Sequence, residues 1–348
     1  MLPNMMQAAA MEGIKNIKIR DMDIPKPKQG EVLIKVKSVG ICGSDMHFYI
    51  NGRIGHHIVE PPFILGHEAS GEIVETGKDI INLKVGDRIT MEPGVSCGKC
   101  NYCMTGKYNL CNKMIFWATP PIDGVLSEYI VHDERYCFKI PDNISFDEGA
   151  MAEPLSVAVH AAIRSRANPG SKVAILGAGP IGQLVLQVFR AFGAYKIIIS
   201  DISEYRLDIA KKIDDVTTIN AAKVDVKKIV KDYFPEGADI TVETAGAIET
   251  ASDSIYITKK GGTVIQIGNL PKVEVPYPLL IALDKELTIL GSYRYANCYP
   301  TVVDLLSSKK VHVKDLITRR FPFIETDEAF KFAYEERDKN LKTMIYFE

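Results

Sequence analysis

The chain has 348 residues, more than one ordinary domain holds, and at about 150 residues per domain it divides into two. Forty-two Lys and Arg against 44 Asp and Glu give a formal charge of −2, which excludes the basic field that a nucleic-acid or membrane-surface protein needs. With 46% hydrophobic and 25% charged residues, the composition is globular and large enough to bury a core without disulfides.

No window offers the roughly 20 apolar residues of a membrane span. The best, 173–189, is uncharged but broken by glycines, a proline and two glutamines. The first ten residues lack a cationic stretch and a sustained apolar core, so no secretory signal is expected. Along the first 150 residues, short runs such as 31–39 and 71–75 alternate apolar and polar, as half-buried strands do, and turn clusters at 25–30 and 84–87 break them. This is an all-β style. From about residue 171 the texture changes to continuous apolar runs at 172–176, 196–200, 216–219, 239–242, 263–267 and 286–290. Helix-period stretches at 181–192, 204–213 and 247–258 separate most of them. Strands buried on both faces and alternating with helices predict a parallel doubly wound sheet. After about residue 295 the pattern is mixed and is expected to return to the first domain. The expected organisation is therefore an α/β chain with a β-rich domain at 1–153 and 295–348 and a doubly wound domain at 154–294.

Three constellations carry chemistry. Gly177-Ala178-Gly179-Pro180-Ile181-Gly182 is a G-x-G-x-x-G turn. Alone it is only a tight turn, but a strand precedes it, a helix follows, and Asp201 ends the next strand. Glycines let backbone approach a pyrophosphate at a helix N-terminus, and the acidic residue accepts ribose hydroxyls. The Asp201 carboxylate would repel a 2′-phosphate, which favours NAD over NADP; Arg206, five residues on, either softens that preference or faces solvent. Second, Cys97, Cys100, Cys103 and Cys111 fall within 15 residues, in a lobe at about 93–115. Four thiolates close a tetrahedron around zinc with no position open, which is a structural site. An iron–sulfur cluster or a redox C-x-x-C pair would use the same residue type, but neither accounts for four cysteines on such a lobe. Seven cysteines, an odd number with four so crowded, indicate a reducing compartment, the cytoplasm. Cys137 and Cys298 carry no motif and are expected to be buried apolar thiols.

The third constellation is dispersed: Cys42 in Gly40-Ile41-Cys42-Gly43-Ser44-Asp45-Met46-His47, then His67 with Glu68, and Glu153 at the opening of a helix. Singly these are a buried thiol, a core histidine and a cap carboxylate. Together they supply sulfur, nitrogen and oxygen ligands from separate segments, as an open catalytic zinc site requires.

Gly66-His67-Glu68-x2-Gly71-x5-Gly77-x2-Ile80 resembles the signature of zinc-containing medium-chain dehydrogenases. With the four-cysteine lobe, the glycine turn and the domain order, the resemblance covers nearly the whole chain. Within that family the chain is most similar to the sorbitol (L-iditol 2-) and xylitol dehydrogenase group, on residues 52–55, 118–121 and 153–157 and on Tyr293-Arg294-Tyr295. The resemblance implies a GroES-like β-rich catalytic domain and a six-stranded Rossmann domain. It implies two zinc ions per chain and NAD-linked, reversible oxidation of a polyol to a ketose; threonine, an aldose or a phosphorylated polyol is the alternative substrate. Cys42, His67 and one of the two glutamates, Glu68 or Glu153, would hold the catalytic zinc directly, the other glutamate acting on metal or substrate through water. Asp45 would orient His67, and Ser44 and His47 would relay the proton. Ile267, Gly268, Asn269, Ser292, Tyr293 and Arg294 would join Gly177, Gly179, Ile181 and Gly182 around the cofactor. Arg294 and Tyr295 would contact polyol hydroxyls. Phe48 stands where the group often has tyrosine, a lost hydroxyl that bears on substrate preference. The family is usually dimeric or tetrameric through the sheet edges of its cofactor domains.

Overall fold

The computed structural model describes residues 3–271 and 274–348. They form two compact units, Met1–Glu153 with Tyr299–Ser308 and Val313–Glu348, and Pro154–Cys298 with Lys309–His312. The chain after residue 295 is thus shared, a short piece staying with the second unit.

The first unit is built on a seven-stranded sheet. Its main path runs Cys137–Lys139, Arg88–Met91, Glu68–Thr76, Glu31–Gly40, Lys342–Tyr346 and Ile317–Pro322, and Tyr129–Asp133 pairs the first half of Glu31–Gly40. Pairing is antiparallel except between the last two strands of that path. Alternation drives this: Val32, Ile34, Val36 and Val39 point into one core with Ile73, Ile89 and Ile345. A hairpin of Met5–Gly13 and Asn16–Asp23 packs into the same core through Ala8, Ala10 and Met11. The unit is not purely β. A nine-residue helix, Gly43–Asn51, leaves the sheet directly after Glu31–Gly40, because Asp45 accepts the Cys42 N–H and closes the first turn.

The second unit is a six-stranded parallel sheet in the order Thr217–Asn220, Lys196–Asp201, Lys172–Leu176, Ala238–Glu243, Thr258–Gln266 and Thr288–Gly291. The doubly wound expectation holds, and the differences lie at element ends. Helix Ile248–Ile257 runs straight into its strand at Thr258, whose hydroxyl bonds Thr241 Oγ1 at 2.7 Å. The last strand starts late because Glu286 takes a left-handed turn conformation at φ 50°. Among the described residues no helix is long and apolar enough to cross a membrane.

Candidate active site

Sheet register assembles the first cluster. Gly40 pairs with Glu68 on one side and with Met344 on the other, so three strands meet where Cys42 departs. Cys42, His67 and Glu68 each place a ligand atom within 4.8 Å of the others. Asp45, fully buried, organises them: its carboxylate accepts the N–H of Cys42 at 3.0 Å and of Gly66 at 3.1 Å, and its Oδ1 lies 3.3 Å from His67 Nδ1. That leaves the lone pair of Nε2 for a metal. Burial pushes the Asp45 carboxyl up, but His67 and the two backbone donors outweigh it, so it sits below its ordinary value. Burial likewise pulls the His67 ring down, and Asp45 and Cys42 more than reverse it. The anionic field that does this is what a divalent cation requires, and the soft thiolate, imidazole and carboxylate set suits zinc.

Glu68 has a partner that sequence reasoning missed. Lys342 Nζ, fully buried, donates to both carboxylate oxygens at 2.7 Å and to the Ile41 carbonyl at 3.1 Å. Nothing in the surrounding sequence marks this lysine; only the return of the C-terminal strand brings it in. A Cβ on Gly40 would collide with Glu68 Oε2, so a larger residue there would shift the carboxylate that Lys342 holds. Glu153, in the first turn of helix Ala152–Arg164, is buried but lies outside the ligand cluster. Ser44 is half-buried and His47 exposed, both on helix Gly43–Asn51. Phe48, on the same helix, is buried against Phe63, ring centroids 6.5 Å apart. A second missed residue is Glu92: burial drives its carboxyl up to about 8, against the pull of the Tyr108 hydroxyl at 3.1 Å.

Cys97, Cys100, Cys103 and Cys111 bring their sulfurs within 4.8 Å of one another, and the described cysteines form no disulfide. Cys100 and Cys103 are 3.4 Å apart, Cys97 and Cys103 3.9 Å. A tetrahedral zinc with Zn–S bonds of about 2.3 Å has S···S edges of about 3.8 Å, so the residues fit that ion. Backbone N–H groups of Lys99 and Cys100 hold the Cys97 thiol down to about 6, while burial lifts Cys111 to about 11. Cys137 and Cys298 are buried, as expected.

In the second unit the glycine turn is shaped as a phosphate cradle. A Cβ on Gly182 would strike the Gly177 carbonyl at 1.9 Å, and Gly177 itself has φ 104°, whereas a Cβ on Gly179 meets nothing. The open face is therefore where a pyrophosphate fits, at the start of helix Pro180–Ala191, in which Ile181 occupies the first turn. Asp201 ends its strand with Oδ2 on the Ala178 N–H at 2.7 Å and Oδ1 on that of Ser203 at 2.8 Å; Arg206 Nη1 is 3.9 Å from Oδ2. Ile267, Gly268 and Asn269 follow strand Thr258–Gln266, and Ser292 and Tyr293 follow Thr288–Gly291. Arg294 adopts a left-handed backbone with its guanidinium 4.9 Å from the Tyr293 ring, and Tyr295 is buried.

A thiolate, imidazole and carboxylate cluster in one unit and a doubly wound sheet with a glycine cradle in the other are the marks of metal-assisted dehydrogenases as a class. The family profile for an alcohol dehydrogenase GroES-like domain matches residues 28–142, and that for a zinc-binding dehydrogenase matches 180–308. The chain is 41% identical to the sorbitol dehydrogenase of Bacillus subtilis, over 99% of this chain and 98% of that one. It is 45% identical to a probable D-xylulose reductase A of Aspergillus clavatus, over 96% and 95%. Among solved structures, an oxidoreductase/dehydrogenase of unknown specificity from Escherichia coli superposes with a TM-score of 0.95 at 37% identity, covering 99% of each chain. The chain belongs to the zinc-containing medium-chain alcohol dehydrogenase family, whose reaction is oxidation and reduction at CH–OH groups.

Proposed function

We propose that this protein is a zinc-dependent, NAD-linked dehydrogenase that interconverts a polyol and its ketose. The cluster of Cys42, His67 and Glu68 within 4.8 Å carries the reading for the reaction, and relatives named for sorbitol and xylulose carry it for the substrate. The first unit is read as the catalytic domain and the second as the cofactor domain.

Zinc, when bound, supplies Lewis acidity toward the alcohol oxygen, and the nicotinamide accepts the hydride. The rest falls to the chain's own groups. Asp45 fixes the His67 tautomer, leaving Nε2 toward the metal. Lys342 balances the Glu68 charge, which limits the net negative charge on the site. Ser44 Oγ is read as the first acceptor of the alcohol proton and the His47 imidazole as the last, and the exposure of His47 supports its place at the solvent end. Glu153 is read as acting on the substrate or metal through water. Arg294 and Tyr295 are read as polyol contacts; a simple aliphatic alcohol brings no further hydroxyls for them to meet, which penalises such substrates. Phe48 offers no hydroxyl and supports the contact only through its packing. Asp201 supports NAD over NADP, with Arg206 beside it as the group that tempers the preference.

We read the assembly as a homodimer or tetramer. Thr288–Gly291 is an open sheet edge, and Leu279, Leu280 and Leu283 on the helix before it are 64%, 73% and 70% exposed. Seven cysteines without disulfides support the cytoplasm as compartment. The test is the rate of NADH formation from NAD⁺ with sorbitol, xylitol, galactitol, threonine and a short secondary alcohol. The polyols are expected to turn over at least 100-fold faster, in kcat/KM, than the simple alcohol. Activity confined to threonine or the simple alcohol would overturn the polyol reading and leave the zinc chemistry standing.

A further inference from the structure

Glu243 is fully buried at the end of strand Ala238–Glu243 and belongs to none of the clusters above. Its Oε1 accepts three bonds, from the N–H of Ala245 at 3.0 Å, the N–H of Gly246 at 2.9 Å and the Thr250 hydroxyl at 2.7 Å. Its Oε2 accepts from the Gln266 side-chain amide, which also donates to the Gly268 carbonyl at 2.8 Å. Its own backbone carbonyl takes the N–H of Ile267 at 2.9 Å and of Gly268 at 3.1 Å. One residue therefore ties the turn after its own strand, 244–246, to the turn after the neighbouring strand, 267–269. The fit is close: a Cβ on Gly268 would lie 2.3 Å from the Gly246 nitrogen and 2.5 Å from Glu243 Oε2. Thr244 extends the tie to the glycine cradle, its hydroxyl reaching the carbonyls of Leu176 and Gly177 at 3.0 Å each.

A buried carboxylate surrounded by donors on both oxygens is an anion placed to be an acceptor only. A core that needed only stability would do as well with apolar side chains, since burying such a charge costs more than it returns unless geometry depends on it. What depends on it here is the mutual position of three turns at the C-terminal ends of adjacent parallel strands, where doubly wound sheets bind their ligands.

We infer that Glu243 is a positioning residue for the dinucleotide, its buried carboxylate locking turns 244–246 and 267–269 together and to the glycine cradle in the form that accepts the cofactor. The inference rests on the proposed NAD-linked activity. Glu243→Gln keeps the size and offers one acceptor oxygen in place of two, so either the Oε1 group of three donors or the Gln266 amide loses its partner. The zinc-loaded enzyme is titrated with NADH by fluorescence, and KM for NAD⁺, KM for the polyol and kcat are measured. The NADH Kd and the NAD⁺ KM are expected to rise at least tenfold, with the polyol KM and kcat at saturating NAD⁺ within threefold of wild type. Thr250→Ala removes one donor from the same carboxylate without touching either turn, and is expected to stay within twofold throughout. A wild-type protein that binds no NADH would sink the proposed function itself. Wild-type binding together with an unchanged Kd in Glu243→Gln would overturn this inference alone. Equal losses in kcat and both KM values would also overturn it, by making the role purely structural. If Glu243→Gln does not fold, Gln266→Leu, which removes the Oε2 arm together with the amide's bond to the Gly268 carbonyl in turn 267–269, decides: NADH binding weakened threefold or more supports the lock, and unchanged binding refutes it.

Discussion

Glu68 and Lys342 show what a single side chain reveals in one dimension and what it conceals. That Cys42, His67 and Glu68 belong together was suggested by residue types that can bind zinc and by the distinctive motif around His67, and the fold brings their ligand atoms within 4.8 Å of one another. Lys342 was not, since lysines are usually solvated and this one lies 274 residues from its partner. Replacing it by methionine leaves a buried carboxylate without its cation, which costs roughly 3–5 kcal/mol when a buried pair is broken. The denaturant midpoint of zinc-free Lys342→Met should fall accordingly; a loss under about 1 kcal/mol would show that Glu68 does not need the charge. His132 gives a pH prediction. It is buried, its Nε2 is 2.8 Å from the Glu92 carbonyl, and its ring lies tilted against Trp117 with centroids 4.2 Å apart. Burial lowers its pKa to about 4, so between about 6.5 and 4 the unfolded chain binds a proton that the folded chain refuses. Stability is therefore lost as pH falls through that window. His132→Gln, which keeps a donor for the carbonyl but does not titrate, should reduce the loss between pH 7 and 4.5 by about 2–3 kcal/mol. Equal losses in both proteins would place the acid sensitivity elsewhere.

Among the elements, the four-cysteine lobe has the least to hold it. Its paired strands, Gly94–Val95 and Ile115–Phe116, are two residues each, and helix Asn101–Met104 buries no side chain. A metal held by the four cysteines would take the place of a core there. Cys111→Ser should lower the zinc content from two to one per chain by elemental analysis, and proteolysis should cut first within 97–111; two retained zincs would contradict the tetrahedral reading. The central parallel strands were read to within a residue or two, because a strand covered on both faces is largely apolar, whereas strand Thr258–Gln266 begins five residues ahead of the run at 263–267, its start hidden by Lys259, Lys260 and two glycines. Helix Gly43–Asn51 was not anticipated. Its sequence carries little apolar period, and its start depends on the Asp45 carboxylate, which is shared between helix, loop and His67.

For the whole molecule, the change of texture near residue 150 falls beside the step from Glu153 to Pro154 between the two compact units, since half-buried and fully buried sheets leave different apolar patterns. The way the tail is shared between units had no such signal, since pairing across 300 residues leaves no local trace. Association is the property that belongs to this scale. If Leu279, Leu280 and Leu283 cover one another between copies, Leu280→Glu should convert the protein to a smaller species in sedimentation velocity while zinc content stays at two. An unchanged sedimentation coefficient would move the interface to another face.

The sheet that places Lys342 beside Glu68 also sets an order of events during synthesis. The 274 positions from Glu68 to Lys342 take about 14–55 s to translate at 5–20 residues per second. Throughout that time Glu68 exists without its counter-cation, whereas the four cysteines of the lobe are complete within 15 residues of one another. The cysteine cluster can therefore close early on the nascent chain, and the cluster of Cys42, His67 and Glu68 is finished only when the closing strand arrives.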